Sequence, residues 1–201
     1  VTGGAGFIGS NFVRHALQAH PDWHVTTLDK LTYAGRRENL HDVMDNPRHT
    51  FVHGDICDQA VAAPLVEASQ VVVHFAAETH VDRSILAAGE FIKTDVEGTW
   101  VLLEAARRNP NLRRFVQISS CAAFGKQFPP NVEETYPVAA ATGRNYDDAK
   151  GGSEHPALAA HAAGEIACTI IRPGDVYGPG SRPWVLIPLQ TIATSSAFLL
   201  P

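Results

Sequence analysis

Apolar and polar positions along this chain fall into blocks whose period switches repeatedly. Phe7, Ile8, Phe12, Val13 and Leu17 recur at helical spacing, which predicts an amphipathic helix over 7–20 that Pro21 stops. Residues 24–29 and 50–55 are short runs rich in β-branched and aromatic side chains, and both read as strands. The stretch Val71-Val72-Val73-His74-Phe75-Ala76 is almost continuously apolar, as in a central strand covered on both faces. The pattern then predicts a helix over 91–108, a strand over 114–119, a helix over 148–163 and a strand over 167–172. Pro and Gly cluster between Pro173 and Pro183, which marks a loop leaving the sheet.

Strands alternating with helices imply βαβ units, so the predicted fold class is α/β with a parallel sheet. The glycines at Gly3, Gly6 and Gly9 sharpen this prediction. They open the first helix, and an acid, Asp29, ends the next strand roughly twenty residues later, as in a Rossmann-type, doubly wound dinucleotide-binding sheet. Glycine permits a tight turn and close backbone approach to a pyrophosphate, and the amides of Phe7 and Ile8 at the helix start face the same anion. Asp29 is placed to accept hydrogen bonds from ribose hydroxyls, and its charge disfavours a 2′-phosphate. The expected cofactor is therefore NAD and not NADP, although Lys30 and Arg36 are cations close by. Asp55 and Ile56, after the next strand, are expected beside the adenine. Ala76 and Ala77 offer small side chains beside the cofactor at the carboxyl end of the 71–76 strand.

Composition removes several alternatives. The net charge is −5 with no basic block, so a nucleic-acid partner is not expected. Cys57, Cys121 and Cys168 show neither zinc spacing nor a C-x-x-C motif, which fits a reducing cytoplasm and no metal site. No apolar run is long enough to span a membrane. The expected organisation is an NAD-binding domain over 1–175 and the start of a substrate-binding region over 176–201. Val1 leads straight into the glycine turn, so several residues of a first strand are expected upstream, and most of the substrate domain is expected beyond Pro201.

Tyr146 and Lys150 form a Y-x-x-x-K spacing, which sets both side chains on one face of a helix. An ammonium near a phenol favours the phenolate, which can accept a proton from a substrate hydroxyl during oxidation. Ser119 and Ser120 end the intervening strand and supply a hydroxyl. His80 and Arg83 follow the 71–76 strand, where Arg83 is placed to hold a diphosphate.

Together these residues resemble the extended short-chain dehydrogenase/reductase family, the NAD-dependent epimerases and dehydratases. In the N-terminal half the resemblance is to the dTDP-glucose 4,6-dehydratases. It is carried by residues 1–10, Leu28-Asp29-Lys30-Leu31-Thr32-Tyr33-Ala34-Gly35, residues 53–58, and Ala76-Ala77-Glu78-Thr79-His80-Val81-Asp82-Arg83-Ser84-Ile85. The resemblance implies a nucleotide-sugar substrate, a homodimer in the full-length protein, and oxidation at sugar C4. It makes Tyr146 the base, Lys150 its activator, and Ser120 the group that orients the hydroxyl. His80, Arg83, Ser120 and Asp175 become substrate contacts.

Three departures stand out. Where the dehydratases carry Ser-Thr-Asp-Glu-Val-Tyr-Gly, this chain reads Ser119-Ser120-Cys121-Ala122-Ala123-Phe124-Gly125. Cys121 replaces the acid and Ala122 the base of the elimination step. An alanine transfers no proton, and a thiol with a reference pKa of about 8.5 does so poorly. Cys121 is expected to be buried as a small apolar residue. Asp95 and Asp175 each stand where the family generally has Asn, which is expected to add negative charge near an anionic substrate. Ser119-Ser120-x-x-x-Phe124-Gly125 resembles the sugar-nucleotide epimerases instead. A 4-epimerase or simple dehydrogenase is thus the alternative enzyme, and a non-catalytic NAD-binding fragment the alternative of another class.

Overall fold

A computed structural model describes residues 1–79, 88–139, 141–178 and 181–194. Among these residues five short strands form: β1 (Val25–Asp29), β2 (His49–His53), β3 (Val71–His74), β4 (Arg114–Ile118) and β5 (Cys168–Ile171). All pairings are parallel. β1 runs beside β2 with Val25 opposite His49, β3 beside β4 with Val71 opposite Arg114, and β4 beside β5 with Phe115 opposite Cys168. Residues 1–3 join the two ladders. The Leu28 amide donates to Val1 O at 2.9 Å and the Gly3 amide to Leu28 O at 2.9 Å; on the other side, the Thr2 amide donates to Val73 O at 3.0 Å. The spatial order is therefore β2, β1, residues 1–3, β3, β4, β5, with the direction of winding reversing at residues 1–3. Ligands bind at such a switch point, outside the carboxyl ends of the strands.

Side chains alternate across the sheet and meet helices on both faces. Val25 and Phe51 pack with Val13, Ala16 and Leu17 of α1 (Phe7–Ala19). Leu28, Val72 and Phe115 face the other way. They meet α2 (Gln59–Glu67), α4 (Gly98–Arg107) and α5 (Asn145–Ala162) through Ala62, Val66, Leu102, Leu103, Ala157 and Ala160. Phe115, Leu102, Leu103, Ala157 and Ala160 are fully excluded from solvent, and each buried CH₂ contributes about 0.8 kcal/mol. Val73 and Leu28 supply the centre with further β-branched and branched bulk.

The structure shifts several boundaries. The buried face of α1 is Gly9, Ser10, Val13, Ala16 and Leu17, whereas Ile8 is exposed. The helix passes too close to the turn for larger side chains at its first contact. The single helix expected over 91–108 is three pieces: α3 (Ala88–Phe91), a π-helical segment (Ile92–Glu97), and α4. α5 begins at Asn145, three residues before the expected start, so Tyr146 lies inside it. The Thr142 amide and hydroxyl both donate to Asp148 Oδ1, at 2.7 and 2.8 Å, and fold the chain into the helix. Asp147 and Asp148 then sit in the first turn, where negative charge complements the helix dipole. After β5, a π-helical turn (Arg182–Leu186) leads into α6 (Ile187–Ala193). Among the described residues no helix is long and apolar enough to cross a membrane.

Candidate active site

The three glycines of the turn differ in what surrounds them. Gly3 has φ +66°, and a Cβ there would lie 2.5 Å from the Ala76 amide nitrogen. A Cβ on Gly9 would lie 2.3 Å from Gly3 O. The protein's own backbone excludes a side chain at both positions. At Gly6 a Cβ would meet only Gly3 O at 3.3 Å and Ala34 O at 4.0 Å. This chain nearly tolerates a methyl there, so the glycine leaves room for a group outside the protein. Phe7, Ile8 and Gly9 begin α1, and their amides have no acceptor within the helix. The open turn and these amides fit a pyrophosphate, the arrangement that the dinucleotide-binding fingerprint uses.

Ala5 fastens the turn to its neighbours. Its amide donates to Asp29 Oδ2 at 2.9 Å, and its carbonyl accepts the Arg36 amide at 3.0 Å and Asn39 Nδ2 at 2.8 Å. Asp29 is buried, and its Oδ1 accepts the Leu31 amide at 2.8 Å. That bond holds Leu31 at φ +55°, a conformation that costs a non-glycine residue about 1 kcal/mol or more. Gly35 passes so close that a Cβ would sit 2.5 Å from Asp29 Oδ1.

Lys30, which follows Asp29 in the chain, forms an ion pair with Asp55 at 2.7 Å. Hydrogen bonding to Asp55 raises the Lys30 pKa. Burial pushes Asp55 upward, but hydrogen bonds from Lys30 and the Cys57 amide outweigh it and hold the carboxyl below its usual range. Ile56 is buried in the core, where a Cβ on Gly98 would lie 2.5 Å from its Cδ1. Its side chain is thus a packing residue, and only its backbone is left for a ligand. Burial, with the charge of Asp55, pushes the neighbouring Cys57 thiol up to about 12.

Behind the turn runs a directed chain of hydrogen bonds. Thr99 Oγ1 donates to Asp95 O at 2.6 Å, so its oxygen must accept the hydrogen of His74 Nε2 at 3.0 Å. His74 Nδ1 is then the acceptor for Thr2 Oγ1 at 2.7 Å, and Thr2 Oγ1 in turn accepts the Ala76 amide at 3.3 Å. These bonds leave the histidine neutral, with Nε2 as its donor and Nδ1 as its acceptor. Burial, with a contribution from Lys150, lowers its pKa to about 3.

Ala76 and Ala77 line one small space together with His74, Asp95, Gln117, Lys150 and Ser153. Lys150 and Tyr146 share one face of α5, with the ammonium 5.8 Å from the ring centroid. Tyr146 is half-buried and Lys150 buried. Asp95 Oδ2 lies 3.4 Å from Lys150 Nζ, while Asp95 Oδ1 accepts the Glu78 amide at 2.7 Å. Asp95 is 2 % exposed, so its carboxyl lies in the interior beside the Lys150 ammonium. The sequence marked Asp95 as unusual but carried no signal for its partner, 55 positions away.

Ser120 follows β4 and caps a 3₁₀ turn, Cys121–Phe124, by accepting the Ala122 amide at 3.2 Å. That turn packs against α5, and the Cys121 amide donates to Pro173 O at 3.0 Å. Cys121 is half-buried, not fully buried as expected. Arg172 binds the fully buried Glu154 through Nε at 3.0 and 3.1 Å and Nη2 at 2.7 Å, and its guanidinium stacks 4.7 Å from the Phe124 ring centroid. This clamp joins β5, α5 and the Ser120 turn, and the sequence reading missed it. Asp175 is exposed on the loop after β5. His80 and Arg83 lie outside the described residues. Among the described residues no group of three His, Cys, Asp or Glu side chains is arranged to hold a metal.

Residues 1–191 match the model of the NAD dependent epimerase/dehydratase family. A dTDP-glucose 4,6-dehydratase from Streptomyces niveus is 45% identical over 195 residues, covering 95% of this chain and 57% of the relative. The structure of the dTDP-glucose 4,6-dehydratase DesIV from Streptomyces venezuelae, solved with NAD bound, has a TM-score of 0.86 and 41% identity over 96% of this chain and 61% of its own. The UDP-glucose 4-epimerase from Brucella ovis, in complex with NAD, has a TM-score of 0.71 and 28% identity over 85% of this chain and 50% of its own. The chain thus spans about three fifths of the length of the dehydratases it matches. It belongs to the NAD dependent epimerase/dehydratase family.

Proposed function

We propose that this protein is an NAD-dependent enzyme that oxidises a nucleotide sugar at C4, as a dTDP-glucose 4,6-dehydratase-like member of its family. The observation that carries this reading is the position of Lys150. Its ammonium lies 5.8 Å from the Tyr146 ring centroid, and Lys150 lines one space with Ala76 and Ala77, of which Ala76 abuts Gly3 of the glycine turn. In this reading Gly3, Gly6 and Gly9 shape the pyrophosphate cradle, and the amides of Phe7 and Ile8 hold it. Asp29 takes the ribose, Asp55 and the Ile56 backbone border the adenine, and Lys30 holds Asp55 in place. NAD supplies the hydride acceptor.

Tyr146 takes the proton of the sugar hydroxyl on its phenol oxygen, Lys150 favours the phenolate by its charge, and Ser120 orients the same hydroxyl. His80, Arg83 and Asp175 contribute to the sugar-nucleotide side. The NAD-binding domain spans 1–175 and the substrate-binding region begins at 176. Free cysteines at 57, 121 and 168 support a cytoplasmic location. Exposed Trp100 on α4 and Leu158 on α5 offer apolar surface that a second copy would cover in a homodimer.

One observation favours 4-epimerisation over elimination: Cys121 and Ala122 place no carboxyl in the Ser120 turn. The reading is tested by following NADH absorbance with dTDP- and UDP-glucose, in the protein and in Tyr146→Phe. Sugar-dependent formation of NADH or a keto sugar, lost in Tyr146→Phe, is expected. Turnover equal to the parent in Tyr146→Phe would overturn the mechanism.

A further inference from the structure

The Asp95–Lys150 contact connects two elements that the sequence keeps far apart. Asp95 sits in the π-helical segment Ile92–Glu97, which packs against α5. π-Helical turns are rare and are often found at functional positions. Here the segment carries Asp95 into the interior while Ile92, Lys93 and Glu97 stay exposed. The two side chains are almost wholly buried, 1% and 6% exposed, and the ion-pair distance is 3.4 Å. Apart from Lys150, Asp95 Oδ2 has no hydrogen-bond partner among the described residues.

The groups facing this pair can be named. His74, from β3, is neutral; Thr99 from α4, Gln117 from β4 and Ser153 from α5 do not titrate. Glu78, in the loop after β3, is the second acid acting on Asp95. Glu90 on α3 is exposed. Burial raises the Asp95 carboxyl above its usual range against the pull of Lys150, so the environment makes this negative charge costly to keep.

A carboxylate at ion-pair distance offsets much of the field of an ammonium. The strength with which Lys150 favours the Tyr146 phenolate therefore depends on the group at position 95. We propose that Asp95 is a positioning residue that holds the Lys150 ammonium and weakens its action on Tyr146, setting the pH at which the base becomes active. This rests on the reading of Tyr146 as the base. It predicts that removing the carboxylate makes the phenol ionise more readily.

The test is a near-ultraviolet phenolate titration of the full chain, with and without NAD, in the parent and in Asp95→Asn. Only four tyrosines are present, and subtraction of the Tyr146→Phe titration isolates Tyr146. The midpoint for Tyr146 is expected to fall by roughly one pH unit in Asp95→Asn. Asp95→Ser removes the charge with a smaller side chain and is expected to give the same shift, so the test survives poor folding of one variant. Asp95→Glu keeps the charge and is expected to stay nearer the parent. A midpoint that is unchanged or higher in both neutral variants would overturn the proposal, even if both lose stability. The titration needs no turnover, so it is separate from the NADH assay: loss of sugar oxidation alone sinks the functional reading, and an unmoved midpoint alone sinks the role of Asp95.

Discussion

Asp29 Oδ2 accepts the Ala5 amide at 2.9 Å, which ties the acid at the end of β1 directly to the glycine turn. The acid that reads the ribose in the proposed site is therefore also the anchor of the loop that cradles the phosphates. Asp29→Ala should weaken NAD binding by about tenfold, the scale of one charge-assisted hydrogen bond, and narrow the preference over NADP. Calorimetry with both cofactors measures this. Binding of NADP more tightly than NAD by the parent protein would refute the assignment of Asp29.

In the proposed mechanism Tyr146 and Lys150 have separate duties on one helix face, 5.8 Å from ring centroid to ammonium. Tyr146→Phe should leave NAD affinity within about twofold while lowering oxidation at least a hundredfold, because the hydroxyl is needed for proton transfer and not to hold the cofactor. Binding and turnover measured on the same preparation distinguish the two effects.

Dehydration tests the Ser120 turn. With Cys121 and Ala122 where the dehydratases carry an acid and a base, the protein is expected to form 4-keto-6-deoxy product slowly. General acid–base help of roughly 10²–10⁴-fold is at stake. The combined change Cys121→Asp and Ala122→Glu should raise product formation from dTDP-glucose. A parent rate equal to that of an ordinary dehydratase would show that elimination here uses other groups.

Arg172 and Glu154 make a buried, multiply hydrogen-bonded pair. Glu154→Ala should cost about 3 kcal/mol, because it leaves the Arg172 charge without its partner. Adding Arg172→Met should restore part of the loss. Denaturant midpoints for the two variants give the answer, and a single variant as stable as the parent would contradict the clamp.

His74 gives a pH dependence with a definite sign. Its pKa is lowered to about 3 in the fold, against about 6.5 in the unfolded chain, so below 6.5 the unfolded state binds the extra proton. The contribution to stability is complete above about 6.5 and is lost progressively as pH falls toward about 3. Within that window the folding constant should fall by up to roughly tenfold per pH unit from this group alone. His74→Gln should flatten the slope and also lower stability at neutral pH, since Thr2 and Thr99 lose their partner. Urea unfolding at several pH values compares the two slopes.

Much of this protein was legible in one dimension. The period of its apolar residues placed five strands and the main helices, because burial of one face repeats locally along the chain. The glycine turn, Asp29 and the Tyr146–Lys150 spacing were equally readable, since each depends on a short segment with a fixed geometry. Tertiary structure decided what those local patterns could not. It engaged Lys30 with Asp55, buried the Ile56 side chain in the core, broke one expected helix with a π segment, and set Asp95 against Lys150. Each of these depends on a partner brought near by the sheet and its crossovers. Charge balance inside a protein is a property of three-dimensional neighbours, and a sequence names the charges without saying which of them meet.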